Sequence, residues 1–206
     1  MTISSFEELV DYRRSVANLY AHVRGSSLDH EARWRQFCRE RDNLFATHPQ
    51  SALTAEQKET FTGLHYFPYN PDLRFLLTVD TGIEQRLTES ELPDEGLFRL
   101  QRFGQILFEV QGQTVSLSLF WVAGYGGGIF LPFRDLTNQE NTYGGGRYLL
   151  DTIKHADLGQ EGIKLIIDFN YAYNPSCAYN PRWVCPLAPV ENRLPVPIRA
   201  GELRYP

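Results

Sequence analysis

Apolar residues in the first sixty positions recur at helical spacing; after Gly63 they fall at every second residue. Ser5, three before Glu8, reads as a capping box opening a first helix. Phe6, Leu9, Val10, Val16, Leu19, Tyr20 and Val23 form its apolar stripe, and Gly25-Ser26-Ser27 ends it. A second helix is predicted from Asp29 to His48-Pro49. Its stripe is Trp34, Phe37, Cys38, Arg41 and Phe45, with Arg33, Arg35, Arg39 and Glu40 facing out. Thr54 paired with Gln57 predicts a short third helix.

Alternation then predicts strands. Leu73, Phe75, Leu77 and Val79 form one. Leu97 to Val110 forms a longer one with an irregularity at Gly104, and Gln111-Gly112-Gln113 turns it into a hairpin. Val115, Leu117, Leu119 and Trp121 against Ser116, Ser118 and Phe120 read as a half-buried strand. Ile129–Arg134, Arg147–Leu150 and Ile163–Tyr171 follow. No helix-length crossovers separate these strands, so they pair antiparallel. Seven of the twelve prolines lie after residue 170, which breaks regular structure there. Yet Tyr171, Tyr173, Tyr179 and Trp183 share that stretch, and so many aromatics argue for an ordered segment wrapped across the body. Val196-Pro197-Ile198 is expected as a final edge strand.

The fold class expected is α+β, mainly β. An antiparallel curved sheet closed as a barrel, or a sandwich, has about 7–9 strands. Two or three N-terminal helices and an irregular Pro/aromatic-rich C-terminal wrap complete it. One domain spans 1–206: a helical lead-in (1–61), a β core (62–170) and the wrap (171–206).

Composition narrows the classes. Net charge is −5, which argues against a general nucleic-acid binder. No apolar run reaches the length of a membrane span. The N-terminus lacks the basic-then-apolar pattern of a secretory leader. Three cysteines, an odd number, fit a reducing compartment, so a cytoplasmic location is expected. Glu84, Glu89, Glu91, Asp94 and Glu95 lack the alternation of a calcium loop and read as a solvated loop. No metal or cofactor is expected.

Several constellations could carry chemistry. Gly124 to Gly128 and Tyr143-Gly144-Gly145-Gly146 hold seven of the sixteen glycines. They lack the Lys-Ser/Thr of a phosphate loop, so tight turns are the plainer reading and an anion loop completed by Arg147 the sharper one. Arg147 opens a strand, with Asp135, Asp151 and Asp168 as candidate mates: a buried pair or a ligand clamp. Asp168 and Asn170 lie two apart on one strand face, with an acceptor beside a donor–acceptor side chain. Local turn bonding is the alternative. Cys177 could act as a nucleophile, and its eight-residue offset from Cys185 leaves both a disulfide and two free thiols open.

A longer pattern unites these residues. Phe130-Leu131-Pro132-Phe133-Arg134-Asp135, Thr142 to Tyr148, Asp168 to Cys177, Cys185-Pro186, Glu191 to Pro195 and Ala200-Gly201-Glu202 closely resemble the domain-of-unknown-function family DUF1684. Trp34, Arg41-Asp42 and His48-Pro49-Gln50-Ser51 are similar to its helical lead-in. The resemblance runs from about residue 30 onward and carries no catalytic residue across. It directs attention to Asp135, Thr142, Tyr143, Arg147, Asp168, Asn170 and Cys177.

Three functions are weighed. The first is binding of a small polar or anionic molecule by Arg147, Tyr143, Asp135, Asp168, Asn170 and Tyr173. The second is a hydrolase or lyase using Asp168 as base or Cys177 as nucleophile. In the third the polar residues only hold the wrap against the sheet.

Overall fold

The computed structural model describes residues 3–92 and 96–206, with side chains from Ser5 onward. Asp94 and Glu95 of the acidic cluster lie outside the described residues. Helices α1 (Ile3–Gly25), α2 (His30–Thr47) and α3 (Ala55–Glu59) lead. Strands β1 (Arg74–Leu77), β2 (Arg86–Leu92), β3 (Gly96–Val110), β4 (Gln113–Val122), β5 (Gly128–Phe133), β6 (Arg147–Asp151), β7 (Gln160–Glu161) and β8 (Lys164–Asp168) follow. They form an antiparallel five-stranded meander, β2-β3-β4-β5-β6, and a three-stranded sheet, β1-β8-β7. No helix among the described residues is long and apolar enough to cross a membrane.

Local chemistry explains most boundaries. The Asp29 carboxylate accepts the Ala32 amide at 2.8 Å and caps α2. Thr54 and Gln57 exchange both bonds of a capping box at α3. Helix α1 starts before Ser5, so the capping box expected there is not its boundary. Its stripe is also shorter than expected. Leu19, Tyr20 and Val23 are buried, but Phe6 and Val10 are exposed because the first turns project past the core. The β3–β4 turn is the two-residue Gln111-Gly112, both at positive φ, a twist that suits a tight hairpin.

The two sheets are not hydrogen-bonded into a barrel; they share a core. Leu73, Ile167 and Phe169 from the small sheet's side meet Ile106, Phe108, Leu117, Leu119, Leu131 and Phe133 of the large sheet. Gly104 sits at a register shift in β3, where a Cβ would lie 2.3 Å from the Val79 side chain. The missing side chain lets Val79 close in, and Asp80 then bridges to Gln105. The opposite face of the large sheet buries Leu100, Phe120, Phe130 and Tyr148. Strand β4 is therefore covered on both faces, not half-buried. Phe120 is inside, whereas Trp121 reaches past the sheet's cover and is exposed.

Three further expectations change. Glu89 and Glu91 lie in β2, an exposed edge strand hidden from periodicity because neither face is buried. The Ile163–Tyr171 strand stops at Asp168, and Phe169–Tyr171 form a single 3-10 turn. Val196–Ile198 forms no strand, although the wrap is ordered and Leu194, Val196, Ile198 and Ala200 are buried.

Candidate functional site

The wrap meets the body through isolated backbone bridges, Arg193 with Arg134 and Tyr173 with Tyr148 among them, and side chains hold it between them. Arg147, at the start of β6, has no exposed surface and donates to Asp135 (2.9 Å) and to the carbonyls of Ala200 (2.5 Å), Ile198 (3.0 Å) and Glu202 (3.4 Å). Asp135 also accepts the amides of Ile198 (3.1 Å) and Thr137 (2.8 Å). Two side chains thus satisfy the buried backbone of a segment that forms no ladder. Burial works against the Arg147 charge, and the Asp135 carboxylate beside it works for it. Asn192 acts likewise. It accepts the Ser118 amide (2.8 Å) and donates to the carbonyls of Ser118 (2.9 Å) and Pro132 (2.7 Å). Arg41 on α2 bonds the buried Glu202 (3.0 Å) and Tyr179 (3.2 Å), which ties the chain end to the helices.

Asp168 and Asn170 engage other partners. The Asn170 side chain accepts the Asn70 amide (2.8 Å) and donates to the Asn70 carbonyl (2.8 Å). Asp168 Oδ1 accepts from the Asn170 amide (3.0 Å) and side chain (2.8 Å). Its Oδ2 lies 3.9 Å from Arg74 Nε. Burial pushes the Asp168 carboxyl up to about 6, against the Asn170 bonds and the Arg74 charge, which pull it down. Arg147 shares no partner with this pair, so the structure does not bring residues 147, 168 and 170 into one hollow.

Asp168 instead borders a groove of about 330 Å³ between the helices and the small sheet. Arg24 from α1, His30 and Arg33 from α2, and Arg74 from β1 line it, together with Gly159 to Glu161, Ile166 and Tyr171. Arg24 donates to the Asp157 carbonyl (2.5 Å). Arg33 donates to the carbonyls of Ser26 (2.8 Å) and Leu28 (2.9 Å), and its Nε is buried without a partner. Arg74 reaches Glu161 at 3.3 Å. Burial, then Arg74 and Arg33, lower the His30 pKa, so that ring is neutral at pH 7.

None of these four basic residues stood out in the sequence. Arg33 read as an outward helix residue and Arg74 as the polar member of an alternation. Their convergence depends on segments that are far apart in the chain.

The remaining candidates lie elsewhere. The Tyr143 hydroxyl is 3.6 Å from Cys177 Sγ, and the Cys177 amide points at Cys185 Sγ, 3.4 Å away. Both thiols are free and half-buried. A Cβ at Gly145 would sit 2.4 Å from the Tyr143 ring, so glycine there lets the ring fold back over its own loop. Tyr173 is packing: it pairs with the Tyr148 backbone and meets that ring edge-on at 5.7 Å. Thr142 bonds Thr137 (2.9 Å) within the 135–143 loop. Among the described residues no cluster of three His, Cys, Asp or Glu is placed to hold a metal.

The chain is similar to a solved structure, the solution NMR structure of an uncharacterized protein from gene locus rrnAC0354 of Haloarcula marismortui. The TM-score is 0.60 and the identity 33%, over 85% of this chain and 94% of that one. No curated protein matches. Residues 59–203 match the family model Protein of unknown function (DUF1684), and the chain belongs to that family.

Proposed function

We propose that the protein binds a small polar anion in the groove between α1, α2 and the β1-β8-β7 sheet. The lining of one groove by Arg24, Arg33 and Arg74, with Asp168 at Arg74's side, carries this reading. Three guanidiniums against Glu161 and Asp168 leave the lining with a net positive charge, in a chain of net charge −5. Arginine's planar fork suits phosphate and carboxylate. The free Asp168 oxygen can accept from a hydroxyl or amine on the same ligand, which favours a molecule carrying both an anionic group and a donor. The groove's volume falls at the lower end of small-molecule sites, about 300–1,000 Å³.

A second reading has one observation in its favour. A buried carboxyl with its pKa at about 6 is mostly ionised at pH 7 and can exchange a proton there, as a general base must. Cys177 borders none of this groove, so that reading uses Asp168 and not the thiol.

Thermal unfolding with inorganic phosphate and with citrate tests the binding reading. A ligand that binds only the native state raises Tm with concentration. The wild type should respond to at least one of the two anions, and Arg74→Ala should lose the response while its own Tm drops by only a few degrees. A wild type indifferent to both anions, or an equal response in Arg74→Ala, rejects the groove as the site.

A further inference from the structure

Cys177 and Cys185 stand away from the groove, in a segment held on three sides. Cys177 lies in a 3-10 turn, Ser176–Ala178, entered from Pro175. Cys185 precedes Pro186, whose carbonyl accepts the Tyr148 hydroxyl at 2.5 Å. The Tyr143 hydroxyl, steered by the fold of its ring over Gly145, reaches the Cys177 sulfur. The two thiols are thus held close together, unlinked and half-buried. Their environments differ. The neighbouring Cys185 thiol, and then the Tyr143 hydroxyl, bring the Cys177 pKa down to about 6 against its burial, which raises it. The Cys177 sulfur beside it, together with burial, holds the Cys185 thiol well above its ordinary value. The third cysteine, Cys38, is pushed up to about 12 by burial against the helices.

We propose that Cys177 and Cys185 form a hydroperoxide-oxidisable dithiol, with Cys177 as attacking thiolate, Cys185 as resolving thiol and Tyr143 as a positioning residue. The Cys177 sulfur attacks the terminal oxygen of a hydroperoxide. An S–O bond forms and the O–O bond breaks. The departing oxygen takes up the proton that Cys177 gave up and leaves as water or an alcohol, and Cys177 becomes a sulfenic acid. Cys185 then attacks that sulfur. The S–S bond forms, the S–O bond breaks, and the hydroxyl leaves with the Cys185 proton as water. Two thiols lose two electrons and the peroxide gains them. The product bond closes the loop 178–184, which contains Tyr179, a partner of Arg41 and Glu202. Oxidation therefore ties the half-exposed dithiol to the contact that anchors the chain end on α2.

This proposal is independent of the groove. Its test is hydrogen peroxide treatment of the full chain, followed by thiol counting, intact mass and peptide mapping. The wild type should lose two of its three thiols, fall by about 2 Da and yield a 177–185 linked peptide, with Cys38 still reduced. Cys185→Ser should accumulate a sulfenic acid that dimedone traps at Cys177. Tyr143→Phe should slow Cys177 oxidation several-fold and leave the product unchanged. Cys177 should react at least ~10-fold faster than Cys38, because only the thiolate is nucleophilic. Oxidation of Cys177 no faster than Cys38, a dimedone adduct confined to another cysteine, or disulfides only between separate chains would overturn the assignment.

Discussion

Two Arg–Asp pairs in this molecule have opposite characters. Arg147 and Asp135 are sealed, with neither side chain exposed; their bonds go to each other, to the backbone of the wrap and to the Thr137 amide, while Arg147 Nε is buried without a partner. Arg74 and Asp168 stand 3.9 Å apart at a groove's edge; Arg74 is partly exposed and shared with Glu161, and one Asp168 oxygen is left for something else. Both arginines open a strand. What separates them is what covers them. The C-terminal segment closes over β6, whereas a groove lined by Arg24 of α1 and His30 and Arg33 of α2 borders Arg74 of β1 and Asp168 of β8. A pair enclosed on all sides holds structure, and one with an oxygen to spare beside a cavity can recognise a ligand.

The largest effect expected is at the sealed pair. Arg147→Ala leaves Asp135 buried without its counter-charge and three wrap carbonyls without a donor, and should cost roughly 3–5 kcal/mol in chemical denaturation. A loss below about 1 kcal/mol would mean that the pair does not hold the wrap.

At the groove the sign reverses. The folded Asp168 carboxyl keeps its proton up to about pH 6, whereas an unfolded aspartate releases it near ~3.9. Between these values the native state binds more protons, so Asp168 makes stability fall as pH rises through that window. Asp168→Asn should therefore stabilise the protein at pH 7, by roughly 1–3 kcal/mol, and flatten the pH dependence between those two values. Equal or lower stability at pH 7 would make Asp168 a structural partner like Asp135.

The smallest effect expected sharpens the contrast. The Glu161 side chain is mostly exposed, and its bond to Arg74 is worth at most ~0.5–1 kcal/mol. Glu161→Gln should leave Tm nearly unchanged and tighten phosphate binding a few-fold, because Arg74 loses a competitor. Weaker phosphate binding in this variant would assign Glu161 to the ligand's contacts instead.

The legible parts of the sequence were those with local causes. Asp29 caps α2, Thr54 and Gln57 cap α3, and Gln111-Gly112 turns the hairpin, all through bonds within a few residues. The Gly104 irregularity showed as a break in period two, although its cause, the approach of Val79, did not. Strand β2 stayed hidden because it buries neither face and so carries no alternation. Asp168 and Asn170 were visible as a pair, but the strand was read too long, because Asp168 ends it by accepting its neighbour's amide.

From the chain alone followed the helical lead-in, the antiparallel β core, the ordered wrap and the short list of polar residues, since periodicity, capping and turn chemistry act over a few residues. Which arginine is sealed and which faces a groove was decided only in three dimensions. Burial depends on what packs across a side chain, and here the covering segment lies about fifty residues further along the chain from Arg147.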